Sequence, residues 1–129
     1  DDTAMGDLVA CIGVDYITMA KIEKGATLAM AYPKETIVLP SPVGIIKGTK
    51  NLSAAQKFVD FLLSKEGQQI IANNYTLPVR DDVTLPENSP LPKPHDAVVN
   101  AIKLDFEKMS GAGKEEVIKQ FKDIMRPGK

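Results

Sequence analysis

Two short stretches in the first third of the chain carry side chains able to hold a ligand. In Gly13-Val14-Asp15-Tyr16 an apolar run ends and a helical pattern begins, so a carboxylate and a phenol stand at a strand-to-helix turn. In open α/β sheets, ligands bind outside the carboxyl ends of strands, where the unpaired N–H groups of a helix start meet an anion. An oxyanion suits this place. The competing reading makes Asp15 a plain helix cap and Tyr16 a half-buried packing residue. The second stretch is Thr36 to Pro42, where Pro40 and Pro42 stiffen extended backbone and Ser41 adds a hydroxyl without adding mobility. It too has a plainer reading, a rigid crossover that touches no ligand.

Groups suited to catalysis are sparse. His95 is the single histidine and lies among prolines, far in sequence from Cys11 or any carboxylate cluster, so it reads as a solvated helix start and not as a metal ligand or general base. A Ser-His-Asp set would have to rest on that one imidazole. Asp81 and Asp82 are adjacent in an irregular segment, where neighbouring carboxylates point apart and into water. Cys11 is the only cysteine, which excludes an intrachain disulfide and a cysteine-rich metal site; among Leu8, Val9, Ala10 and Ile12 it reads as a small buried hydrophobe. The glycines form neither a phosphate loop nor a dinucleotide fingerprint. Sixteen basic and seventeen acidic residues give a formal charge of -1, so no global field draws the chain to nucleic acid or an anionic membrane. Basic residues do not interleave with aromatic ones in a stacking pattern, which also argues against nucleic acid. No window of eighteen apolar residues suggests a membrane span, and no charged start leads into an apolar signal region.

The elements that must position these residues follow from the hydrophobic pattern. Leu8 to Val14 is a continuous apolar run flanked by Gly6-Asp7 and Asp15, and predicts a strand over residues 7–14 buried on both faces, as in a parallel sheet. Asp15 is the expected N-cap of a helix over Tyr16 to Lys24, stopped by Gly25. Residues 26–31 predict a second strand ending before Pro33, which completes a β-α-β unit. Thr36 to Leu39 is extended chain entering a crossover, because Pro40 and Pro42 forbid regular central pairing. Residues 43–47 predict a further strand, and Asn51 or Ser53 caps the strongest helix, which runs on to Ile70. Phe58, Phe61, Leu62 and Ile70 form its apolar face, expected to pack on a sheet. The proline-rich stretch 78–94 reads as irregular surface chain. Two helices close the sequence, at Asp96 to Lys103 and Lys114 to Met125, separated by Ser110 to Gly113.

Three segments together resemble a known family. Tyr32-Pro33-Lys34-Glu35, Pro40-Ser41-Pro42-Val43 and Lys47-Gly48-Thr49-Lys50-Asn51, the last running through the helix to Gln69, are similar to the bilobal type II periplasmic solute-binding proteins of ABC importers, in the ferric-iron, phosphonate and phosphosugar branch. The match extends from about Gly6 through Val79 and, more weakly, to the 114–125 helix. The resemblance implies an α/β fold, the C-terminal portion of the type II architecture, with a short mixed sheet flanked by helices. Residues 1–36 would end the second lobe, 37–42 form the hinge crossover, 43–79 return a strand and helix to the first lobe, and 80–129 carry a proline-rich connector and helices over the second lobe.

The same resemblance implies a function without catalysis. The protein would be periplasmic or otherwise extracytoplasmic, soluble or lipid-anchored, and would capture a small anionic solute or ferric iron between its lobes for delivery to a membrane permease. It implies no resident cofactor, ferric iron being cargo if it binds at all. Asp15, Tyr16, Thr36 and Ser41 would line the second-lobe side and hinge of the cleft. Ferric-iron members use two consecutive tyrosines where this chain has Asp15-Tyr16, so Tyr16 alone could serve as a metal ligand, and only for iron. Members with an acidic residue before the tyrosine resemble receptors for phosphonates or phosphorylated sugars. The glycine that often follows the Tyr-Pro-Lys-Glu motif is Thr36 here. A receptor of this type is at least twice as long, so an absent N-terminal part is an expected partner, and isolated sheet edges would favour a homodimer. A ligand-sensing extracytoplasmic domain of a signalling protein is the alternative, and an enzyme on the same fold is the least supported reading.

Overall fold

The computed structural model describes residues 1–87 and 89–126. Among these, helices occur in the order α1 (Asp2–Met5), α2 (Asp15–Glu23), α3 (Leu52–Leu63), α4 (Lys65–Asn73), α5 (Pro94–Val99) and α6 (Gly111–Met125). No strand forms among the described residues, and the single β-type contact is a parallel bridge between Thr36 and Ala101, with the Ile102 N–H donating to the Thr36 carbonyl at 2.8 Å.

This corrects the expected short mixed sheet and its β-α-β unit. Residues 8–14, 26–32 and 37–46 contain the expected apolar runs, but they lie without a ladder. A parallel strand needs a neighbour delivered by a separate crossover, and a hydrophobic run cannot pair with water. Cys11 is accordingly exposed, not buried, and Val9 and Ile12 stand fully in solvent, because a position is buried only when layers cover both faces of its strand.

The helices agree more closely with the pattern. α2 ends in a Schellman turn: Lys24 is the C-cap, Gly25 takes φ +91°, and the N–H groups of Gly25 and Ala26 donate to the Ile22 and Lys21 carbonyls. The single long helix expected from 51 to 70 is two. Asn51 is the N-cap of α3, which settles the choice between Asn51 and Ser53, and the chain breaks at Ser64, where ψ is 164°. The Ser64 hydroxyl accepts from the Gly67 N–H at 3.1 Å and donates to the Phe61 carbonyl at 2.6 Å, so one side chain closes α3 and starts α4. Gly67 allows the close turn, since a Cβ there would sit 2.2 Å from the Phe61 carbonyl oxygen. The expected packing of this helix on a sheet is not realised: Phe58, Phe61 and Ile70 are exposed, since an amphipathic face buries only against a second layer.

The proline-rich stretch is irregular, as its composition requires, yet it is fastened to α4. Gln68, 3% exposed, donates to the Leu62 carbonyl at 2.7 Å and accepts from the Val79 N–H at 2.8 Å. The Gln69 amide pairs with the Thr84 backbone in both directions, accepting from its N–H at 2.9 Å and donating to its carbonyl at 2.6 Å. Asp81 accepts from the His95 N–H at 3.0 Å at the start of α5, which places His95 at an exposed helix start as expected. Among the described residues the buried hydrophobic side chains are Met19 in α2, Ala72 in α4, Leu91 in the connector and Ala97 in α5. The last two helices are offset from the expected spans: α5 begins at Pro94 and ends at Val99, and α6 begins at Gly111, inside the expected Ser110–Gly113 break.

Candidate functional site

The start of α2 carries two of the four sequence candidates, Asp15 and Tyr16. Val14, extended at φ -89° and ψ 134°, occupies the N-cap, and Asp15 is the first helical residue. The capping reading of Asp15 is therefore replaced by a different arrangement. Its Oδ1 accepts from the adjacent Tyr16 N–H at 2.8 Å, while the Val14 carbonyl takes the Thr18 N–H and hydroxyl, each at 3.0 Å. Gly13 keeps this turn tight, since a Cβ there would lie 3.1 Å from the Thr18 hydroxyl. Met19, on the buried side, anchors the helix.

A residue outside the candidate set completes the arrangement. The Tyr32 hydroxyl donates to Asp15 Oδ2 at 3.2 Å. Chain geometry explains the meeting. The nine residues of α2 rise about 13 Å, the Gly25 turn reverses direction, and the extended residues 26–32 have a reach of about 20 Å, enough to return past the helix start. Pro33 then holds Tyr32 in extended geometry. Tyr32 is half-buried, and that burial pushes its phenol well above the ordinary tyrosine range, with the Asp15 charge and hydrogen bond adding in the same direction. The phenol stays a neutral donor at any physiological pH. Its signal in the sequence was the Tyr-Pro pair of the family motif, which marks a rigid position without indicating what the ring touches.

The other two candidates lie elsewhere in the network. Thr36 engages through its backbone, in the bridge to Ala101. Beside it a hollow of about 400 Å³ is lined by Lys34, Glu35 and residues 99–102. Ser41 is exposed on an extended segment. Tyr16 is 47% exposed next to the Asp15 carboxylate. Among the described residues no three His, Cys, Asp or Glu side chains gather where they could hold a metal ion. The Asp81-Asp82 pair divides as expected for a loop: Asp81 serves α5, and Asp82 forms a two-pronged pair with Arg80 at 2.7 and 2.8 Å.

The site thus presents one carboxylate held at both oxygens by neutral donors, with an accessible phenol beside it. Such a group can accept further hydrogen bonds from an ammonium or hydroxyl, since an ionised carboxylate has about four acceptor positions. It offers no nucleophile–base pair.

The family model described as bacterial extracellular solute-binding protein matches residues 1–110. A relative from Salmonella typhimurium, provisionally named a 2-aminoethylphosphonate-binding periplasmic protein, is 26% identical over 86 residues, covering 61% of this chain and 26% of the relative. A protein of the same name from Salmonella typhi matches equally. An uncharacterized protein from Haemophilus influenzae is 42% identical over 64 residues, covering 47% of this chain and 18% of that protein. The matched segment therefore spans between about a fifth and a quarter of the length of these relatives. No solved structure matches it.

Proposed function

The chain belongs to the bacterial extracellular solute-binding proteins, and on that premise we propose that it is part of the cargo-capturing receptor of an ABC importer, acting outside the cytoplasmic membrane. The cargo class we favour is a small phosphonate carrying an amine. The observation that carries this reading is the Asp15 carboxylate, fixed by Tyr16 and Tyr32 at the head of α2. A fixed anion discriminates an ammonium from a neutral group, and the relative named for 2-aminoethylphosphonate supports that chemistry. Ferric iron is the weaker cargo, since Tyr16 and Asp15 alone supply two hard donors and a hard trivalent ion takes more.

In this reading residues 1–36 belong to the second lobe, 37–42 to the hinge, 43–79 to the first lobe and 80–129 to the connector and the returning helices. Thr36 and Ser41 line the hinge side of the cleft. The unladdered segments 8–14, 26–32 and 37–46 pair with strands from the remainder of the receptor, and ligand bridging the lobes stabilises a closed form that the permease reads.

The test is calorimetry on the full-length protein with 2-aminoethylphosphonate. Asp15→Ala and Tyr16→Ala each weaken binding at least about tenfold, the loss typical of a charged hydrogen bond. Unchanged affinity in both variants removes these residues from the site, and tight binding of ferric iron in place of the phosphonate reassigns the cargo.

A further inference from the structure

We propose that Tyr32 is a positioning residue of the ligand site, its hydroxyl orienting the Asp15 carboxylate so that an unused acceptor edge faces a ligand ammonium. This rests on the reading of Asp15 as a ligand residue and adds to it the source of amine selectivity. The geometry is a two-point clamp. Oδ1 of Asp15 is held by the Tyr16 N–H at 2.8 Å and Oδ2 by the Tyr32 O–H at 3.2 Å, so rotation of the carboxylate breaks one bond or the other. Both donors come from rigid places, the first turn of α2 and the residue before Pro33.

The chemical identity of the second donor matters more than its presence. A lysine or arginine at position 32 would fix the carboxylate equally well but would cancel its charge, and a cationic ligand would then gain little. A phenol that burial keeps protonated orients the group and leaves a full negative charge available. The ion pairs among the described residues are consistent with this: Lys21 pairs with Asp1, Arg80 with Asp82, Lys108 with Asp105 and Lys119 with Asp123, while Asp15 has only neutral donors. Tyr32 thus makes the carboxylate selective for cations by orienting it without neutralising it.

The experiment compares two probes on the full-length protein, 2-aminoethylphosphonate and ethylphosphonate, which differ by the amine. In wild type the amine-bearing probe binds more tightly. Tyr32→Phe weakens 2-aminoethylphosphonate about five- to tenfold, the loss of one orienting hydrogen bond, and leaves ethylphosphonate within about twofold, which also shows that the variant is folded. Equal weakening of both probes makes Tyr32 a structural residue only and overturns the proposal, as does no change in either. A second readout needs no ligand. With ¹³Cζ-labelled tyrosine, the Tyr32 phenol titrates above ordinary tyrosine, and Asp15→Asn moves that titration down; a titration that stays put refutes the contact itself. If the titration moves as expected but wild type binds neither phosphonate, the cargo class fails, and the role of Tyr32 toward an ammonium fails with it.

Discussion

Replacing Gly67 by alanine separates two opposed effects by their sign. In a helix interior, Gly→Ala ordinarily stabilises by about 1 kcal/mol, because glycine loses the most backbone entropy on folding. At Gly67 the added Cβ would sit 2.2 Å from the Phe61 carbonyl oxygen and 3.0 Å from that of Leu62. Both neighbours are backbone, so no side-chain rotation relieves the overlap. α4 must move away from the end of α3 by roughly 1 Å to restore ordinary contact. That displacement stretches the Gly67 N–H bond to the Ser64 hydroxyl, now 3.1 Å, and the Gln68 bond to the Leu62 carbonyl, now 2.7 Å. Overpacking of this kind costs about 1–3 kcal/mol, and weakening of the two bonds adds up to about 1 kcal/mol each. After the helix-propensity gain, the net expectation is a loss of about 2 kcal/mol, with about 4 kcal/mol as the upper end. Urea unfolding of the full-length protein, followed by circular dichroism, measures it as a fall in the midpoint at unchanged slope. A midpoint that rises would show that the α3–α4 corner is loose, and would refute both the close approach and the role given to Ser64.

Three further outcomes follow from the same structure. Gln68→Ala removes the side chain that joins the Leu62 carbonyl to the Val79 N–H, so stability falls by about 2 kcal/mol and hydrogen exchange speeds up at Val79 before it does in α3. The Asp82 carboxyl is held below the usual carboxylate range chiefly by its hydrogen bonds from Arg80, with burial opposing and the charges of Arg80 and Lys65 adding. Its lowered native value means that its stabilisation is complete above the unfolded aspartate value of about 4 and disappears as pH falls through the native one. Arg80→Gln therefore moves the Asp82 titration up in carboxyl-detected NMR and flattens the loss of stability below about pH 4; an unmoved titration would remove the pair from the account. The isolated 129-residue chain, with its three unladdered segments and exposed Phe58, Phe61, Val117, Phe121 and Ile124, runs as a dimer or larger species in light scattering. A clean monomer with a cooperative melt would show that these faces need no cover.

Local chemistry was the legible part of this sequence. Gly25 as the stop of α2 follows from its free access to positive φ, and Asn51 as the start of α3 was already one of two choices. The break at Ser64 was not legible, because Leu62, Leu63 and the following residues continue a helical pattern across it. A serine followed three residues on by glycine is a weak signal until the overlap with the Phe61 carbonyl is visible. The same C-terminal turn that Gly25 makes at α2 recurs at α4 with Tyr75, at φ 55°, its N–H donating to Ala72 and that of Thr76 to Ile71. Composition predicts glycine or asparagine in that role and gives no hint of a tyrosine.

Non-local pairing is where sequence and structure part. An apolar run states that a segment wants two neighbours, and it says nothing of whether this stretch of polypeptide contains them. Residues 8–14 satisfy every local rule for a buried parallel strand and still lie open, since the partners of a parallel strand arrive through other crossovers. The contact between Asp15 and Tyr32 forms because it depends on shorter reach. A nine-residue helix, one glycine turn and an extended return bring Tyr32 to Asp15 within a single stretch of chain. Residues 13–33 thus carry their own placement, whereas Thr36 is placed by its bridge to the distant Ala101 and Ser41 stands exposed. If the proposed receptor reading holds, mutations within the 13–33 unit alter ligand affinity directly, and those at Thr36 or Ser41 act through closure of the lobes; equal loss of affinity at both sets, with closure unchanged, would refute that division.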